Sequence, residues 1–229
     1  MNSGERVLTA LNRTGRPDKT PFEISWGAFT PVLMKAYRER TGSELHPEEY
    51  FSFDTRSVLS TLTRLNSDFN RFSRMSRMKR MLALMNGELY QTIFETAWLM
   101  RGMQSFFIDL CLNEELAHAI CENITQIRIK QARLLAKAGV DILRLGDDIV
   151  SQQGLMMSHD TYNTFFKSRI QRIINAAKEV NPDILIFMHC CGKVEEVIDD
   201  FLEAGIEILN PIQPECNNLP LIYSILFLS

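Results

Sequence analysis

Neither sign of charge dominates this sequence: 25 Lys and Arg stand against 28 Asp and Glu, a formal net charge of −3. Bulk electrostatics therefore give no reason to expect a nucleic-acid partner. The start, Met1-Asn-Ser-Gly-Glu-Arg6, has no continuous apolar stretch, so no secretory leader is indicated. No run reaches the roughly 20 apolar residues that a membrane-spanning helix needs. The uncharged tail over 219–229 comes nearest and is far too short. Cysteines number only five, an odd count with no scaffold-like spacing, which points to free thiols in a reducing cytoplasm. No linker and no internal repeat divides the chain. What is present in quantity is core-forming material: 45% of 229 residues are hydrophobic, enough for one large domain or two small ones.

Helical and strand patterns alternate. A short helix is expected over 5–11, with Val7, Leu8 and Leu11 on one face, and a strand over 20–26. Thr30-Pro31 opens a helix that Gly42 closes. Another helix is expected from His46-Pro-Glu-Glu through Asp54 towards Leu65, then a short strand over 68–72. The cations between Arg71 and Arg80 read as a solvated helix face in preference to an anion clamp. A strand is expected over 89–94. A long helix follows, capped by Asn113, with Leu116, Ile120, Ile124 and Ile127 on one face and Gly139 as its end. The strand over 140–148 delivers Asp147 and Asp148. Ser158 caps a helix carrying Phe166, Ile170, Ile173 and Ala177, which stops at Asn181-Pro182. After it come a strand ending at His189, a helix over 194–203 stopped by Gly205, and a strand over 206–213.

The densest chemistry lies in Ile184-Leu-Ile-Phe-Met-His189-Cys190-Cys191-Gly192, a strand-length apolar run that ends in an imidazole and two thiols. His189 and Cys191 both suit zinc; the alternative is a core strand ending in small buried residues. Amphipathic helix, glycine or proline stop, apolar strand and polar strand end recur in three late units. That repetition predicts a parallel α/β sheet, doubly wound or TIM barrel, with its site beyond the strand ends. Asp147, Asp148, His189, Cys191, Asn210 and Gln213 should meet at one mouth. Adjacent Asp147 and Asp148 point to opposite faces, so only one should enter the pocket, as a substrate contact or a carboxylate with a shifted pKa; the alternative is an aspartate that caps a helix or stabilises a loop. Trp98 fits either a ligand wall or the core.

Four segments, Thr92-Ile-Phe-Glu-Thr-Ala-Trp98-Leu-Met-Arg-Gly102, Leu143-Arg-Leu-Gly-Asp-Asp148, His189-Cys-Cys-Gly192 and Ala204-Gly-Ile-Glu-Ile-Leu-Asn-Pro-Ile-Gln213, occur in an order that resembles the uroporphyrinogen decarboxylase superfamily, particularly its cobamide-dependent methyltransferase branch. The resemblance runs from Ser3 to about Leu219. It implies an α/β fold of the TIM (β/α)8 barrel type, incomplete, with about six of eight strands over 1–220 and a tail foreign to the family over 221–229. In the methyltransferase branch the His-x-Cys pair binds zinc with a later cysteine, and the zinc activates a substrate thiolate. His189 and Cys191 match the pair; Cys216 is the downstream candidate, after a different strand, and a third ligand is not identified. In the decarboxylases, which need no cofactor, an aspartate holds pyrrole N–H groups and paired arginines hold carboxylates. Asp54 with Arg56 beside it matches the aspartate, but Phe22-Glu-Ile-Ser-Trp-Gly-Ala-Phe29 has no cation, and Trp98 stands where a tyrosine is expected. Porphyrinogen is the less favoured substrate for that reason.

The groups expected to act are therefore Asp54 and Asp148 in catalysis, Arg56, Glu95, Trp98, Asp147, Asn210 and Gln213 on substrate, and His189 and Cys191 on metal. The leading expectation is methyl transfer to a zinc-held thiolate. Porphyrinogen decarboxylation and an inactive truncated fragment are the alternatives. A small-molecule substrate, a corrinoid protein partner and a homodimer are expected; nucleic acid and membrane are not.

Overall fold

The structure is a computed structural model that describes residues 1–11, 14–19, 31–53, 55–59, 84–213, 215–216 and 226–227. The chain divides into two compact units, Met1–Val58 with Asn66–Asn86, and Leu59–Leu65 with Gly87–Ser229.

The first unit opens on α1 (Ser3–Leu11). Asn2 and Glu5 cap it reciprocally: the Asn2 N–H donates to Glu5 Oε2 at 2.9 Å and the Glu5 N–H to Asn2 Oδ1 at 2.8 Å. Helix α2 (Pro31–Thr41) begins at its proline and stops at Gly42, whose φ of 63° only glycine adopts at little cost. The helix expected from His46 to Leu65 is corrected. Among the described residues of that span only α3 (Pro47–Tyr50) is helical; Ser52 then turns left-handed (φ 52°) and β1 (Thr55–Leu59) follows. A backbone reversal at Ser52 ends the i→i−4 ladder whatever the helical pattern beyond it. The expected strands over 20–26 and 68–72 and the basic stretch over 71–80 lie outside the described residues.

The second unit carries the rest of β2 (Leu84–Tyr90), then α4 (Phe94–Arg101), α5 (Met103–Leu112), α6 (Glu114–Ala138), β3 (Ile142–Gly146), and a ribbon of β4 (Val150–Ser151) with β5 (Gly154–Leu155). Next come α7 (His159–Tyr162), a π-turn over 163–167, α8 (Ser168–Lys178), β6 (Leu185–His189), a 3₁₀ turn over 194–197, α9 (Ile198–Ala204), β7 (Ile208–Asn210) and β8 (Leu226–Phe227). Strands lie in the order β2-β3-β6-β7-β8, with β3, β6 and β7 parallel and β8 antiparallel at the edge. Helical crossovers between parallel neighbours make this a TIM-barrel-type α/β fold, incomplete among the described residues.

Boundaries moved where the backbone intervened. The strand expected over 89–94 ends at Tyr90 because Gln91 is left-handed (φ 56°). Pro211, with no N–H to donate, stops β7 after Asn210. Ser158 caps α7 as expected, its hydroxyl accepting the Thr161 N–H. Asn113 does not cap α6: its side chain donates to Asp109 instead, at 3.0 Å.

Helix α6 also buries a different face from the one its large residues suggested. Ala117, Cys121, Ile124, Ala132, Leu135 and Ala136 are buried, whereas Leu116 and Ile127 stand 43% and 47% exposed. Small side chains allow close approach to α8, which brings Ile170, Ile173 and Ala177, with Arg169 buried beside them. The core is completed by β3, buried along its whole length, and by Phe94, Phe106 and Phe166, with Phe94 edge-on to Phe166 at 5.7 Å.

Candidate metal centre

Because β3, β6 and β7 run parallel, their carboxyl ends deliver Gly146, His189 and Asn210 side by side: Gly146 pairs with His189, and His189 with Asn210. The residues just beyond diverge in pairs, as neighbours on extended chain must. Asp147 turns inward and is 2% exposed, its carboxylate accepting the N–H groups of Ile93 at 2.6 Å, Phe94 at 3.1 Å and Glu95 at 3.0 Å. It thus satisfies the orphan donors at the start of α4. Burial pushes its carboxyl up to about 6, against the pull of those three donors. Asp147, expected on substrate, thus has both oxygens on a helix terminus. Asp148 faces the other way, its Oδ1 accepting the Cys191 N–H at 2.8 Å. Cys190 is fully buried, with its N–H on the Asn210 carbonyl at 2.9 Å, and Cys191 turns to the mouth.

A carboxylate oxygen of Asp148, a ring nitrogen of His189 and the Cys191 sulfur all lie within 4.8 Å of one another. Cys191 Sγ is 3.2 Å from His189 Nε2, and His189 Nδ1 is 3.0 Å from Asn210 Oδ1. Imidazole, thiolate and carboxylate are zinc donors, and three protein ligands with a fourth position open is a catalytic arrangement. Bond lengths of about 2.0–2.3 Å set ligand atoms roughly 3–4 Å apart, so the trio fits zinc after a small closing movement. Asp148, expected as a catalytic group, supplies the third donor of this cluster.

Local electrostatics favour a cation. Burial first, then the charges of Asp148, Glu95 and Cys216, hold the Cys191 thiol above its ordinary value; a divalent ion among them would reverse that balance. Glu95 is half-buried at the start of α4, and burial followed by the charges of Asp147 and Asp148 pushes it up to about 7, despite the Asp148 N–H aimed at it. Trp98 lies one turn further along α4, on the same face as Glu95. Gln213 follows β7, and its Oε1 accepts from Cys216 Sγ at 3.6 Å. Asp54, and the side chain of Arg56 in β1, lie outside the described residues.

Supporting residues escaped the sequence reading. Gly192 (φ 119°) lets the chain after Cys191 pass so close to the β4–β5 ribbon that a Cβ there would lie 2.6 Å from the Ser151 carbonyl oxygen. Buried Thr92 ties β2 to β3, its hydroxyl donating to the Leu89 carbonyl at 2.8 Å and accepting the Gly146 N–H at 3.0 Å. Arg128 of α6 gathers the carbonyls of Gln91 at 2.8 Å and Thr92 at 3.0 Å. A glycine next to two cysteines was the one visible signal; a threonine in a turn and an arginine in mid-helix announce nothing.

The fold and its mouth define a class: an α/β protein of TIM-barrel type with zinc-suited donors beyond its parallel strands. Residues 91–211, more than half of the chain, match the family described as Uroporphyrinogen decarboxylase (URO-D), and the chain belongs to that family. It is similar to a Methylcobamide:CoM methyltransferase, MtaA, from Methanosarcina barkeri, 30% identical over 86 residues that cover 38% of this chain and 23% of that protein. The same enzyme from M. barkeri strain Fusaro is 29% identical over 82 residues, covering 36% and 22%. The matched stretch thus spans under a quarter of these relatives. A solved methyltransferase from Methanosarcina mazei shares the fold with TM-score 0.53 at 22% identity, over 65% of this chain and 42% of that one. Among the described residues no helix is long and apolar enough to cross a membrane.

Proposed function

We propose that the chain is a methyltransferase of the cobamide-dependent kind, moving a methyl group from a methylated cobamide to the sulfur of a small thiol at a zinc ion held by Asp148, His189 and Cys191. The observation that carries this reading is the convergence of those three donors within 4.8 Å at adjacent strand ends. Relatives named as methylcobamide methyltransferases support it. Zinc bound there would lower the pKa of an incoming thiol and hold it as the thiolate. The protein's own groups position the reaction. His189, Cys191 and Asp148 would hold the ion, Glu95 at the start of α4 lies close enough to Asp148 and Cys191 to act on their charge, and Asp147 anchors that helix to β3. In the transfer the sulfur–carbon bond forms as the carbon–cobalt bond breaks, cobalt keeps the electron pair, and the thiol proton passes to solvent. A corrinoid protein would present the cobamide. Five free cysteines suit a reducing cytoplasm.

The test uses purified protein, methylcobalamin and a small thiol, with the cobalamin spectrum as readout. About one chelatable zinc per chain is expected, with demethylation lost on chelation, restored by zinc, and absent in Cys191→Ser and Asp148→Asn. Transfer that survives chelation, or zinc that stays bound unchanged in both variants, would overturn the reading.

A further inference from the structure

Asn210 is placed by the sheet itself. It pairs with His189 across β6 and β7, and its main-chain carbonyl accepts the Cys190 N–H at 2.9 Å. Its side-chain oxygen lies 3.0 Å from His189 Nδ1, on the far side of the ring from Cys191. An amide oxygen only accepts, so the nitrogen facing it must carry the imidazole proton. The other nitrogen, Nε2, then presents its lone pair towards Cys191 and Asp148. With the amide turned over, its NH₂ would donate to Nδ1 and the proton would sit on Nε2, aimed into the cluster, where it would oppose a cation.

We infer that Asn210 is a positioning residue: it selects the Nδ1–H tautomer of His189 and so turns Nε2 into a metal donor, acting through the histidine and not on substrate. The inference rests on the metal-site reading above and assigns to Asn210 a task that differs from the substrate contact expected of it. Partners of this kind fix the ring's orientation and raise its basicity, and their loss typically lowers metal affinity about 10–100-fold. Two attachments through one residue, side chain to His189 and carbonyl to Cys190, also fix the turn that aims Cys191.

Two measurements test it separately from the metal-site reading. In metal-free protein, the ¹⁵N shifts of the His189 ring report the tautomer directly: Nδ1–H is expected in the wild type and a mixture in Asn210→Leu. A wild-type ring protonated on Nε2 overturns the inference whatever becomes of the metal. With Co(II) as probe, Asn210→Leu should bind about 10–100-fold more weakly than wild type. Asn210→Asp, which keeps an acceptor and loses the amide donor, should bind at least as tightly as wild type. Asp weaker than Leu, or Leu equal to wild type, overturns it. Should the wild type hold no Co(II) at all, the metal-site reading fails, and the ¹⁵N result still decides which nitrogen Asn210 sets.

Discussion

Asp147 and Asp148 show how far one residue's displacement changes a carboxylate's task. Both follow the same strand, both are acidic, and the alternation of extended chain sends one to the start of α4 and the other to the cluster with His189 and Cys191. Removing the first should expose three N–H donors without partners. Asp147→Ala is expected to lower unfolding free energy by about 1–3 kcal/mol in urea titrations, and the folded fraction should still bind zinc. Asp148→Asn keeps its shape and its acceptor for the Cys191 N–H, so its stability should stay within about 0.5 kcal/mol of wild type while zinc affinity falls. If Asp148→Asn proved the destabilised variant and Asp147→Ala the one defective in zinc, the two roles would have to be exchanged.

Between elements, α6 and α8 are joined by small apolar residues inside and by charge outside. Glu122 of α6 takes both Arg172 N–H groups of α8, at 2.6 and 2.8 Å, with Arg169 at 3.3 Å. The Arg172 hydrogen bonds hold the Glu122 carboxyl down, from 4.5 to about 2. A depressed folded pKa means that the contribution is complete above the unfolded value and is lost as pH falls through the folded one. Glu122→Gln should therefore be less stable than wild type at pH 7, with the gap closing as pH drops from about 4.5 towards about 2. Thermal unfolding of both proteins across that range checks it; a constant gap would mean that Glu122 acts through packing alone. The same helices mark what sequence could reveal. Gly139, Ser158 and Gly205 announced their helix ends because the φ > 0 of a C-terminal glycine and the capping reach of a serine are local needs. The α6 face was only partly legible because its buried side mixes Ile124 and Leu135 with Ala117, Cys121, Ala132 and Ala136, which carry little hydropathic signal, while Leu116 and Ile127 remain exposed. Of the cluster, His189 and Cys191 were legible from their place at a strand end. The donor position of Asp148 and the pairing of Asn210 with His189 were not, since both depend on the register of β3, β6 and β7, and register is a property of the assembled sheet.

Across the second unit the sheet grades from a protected centre to a thin edge. Five residues of β3 pair with β6, three of β6 with β7, and two of β7 with β8. A parallel sheet short of a closed barrel leaves an edge to be covered, and here Ile208 and Leu209 pair with Phe227 and Leu226 of the apolar tail, antiparallel to the rest. Backbone protection should follow that gradient. In native-state hydrogen exchange the amides of Leu143 and Leu145 are expected to be the slowest, those of Ile186 and Met188 similar, and those of Leu209 and Asn210 faster, because local opening at an edge costs less than opening of the centre. Deleting residues 217–229 should speed exchange on β7 and leave β3 unchanged, and the uncovered edge should promote self-association visible in light scattering. Since Asn210 closes β7 and faces His189, the deletion should also loosen the cluster of Asp148, His189 and Cys191 from a distance. Unchanged exchange on β7 after the deletion would show that the tail contributes nothing to the edge, and the stability of the β7 end would then have to come from its parallel pairing with β6 alone.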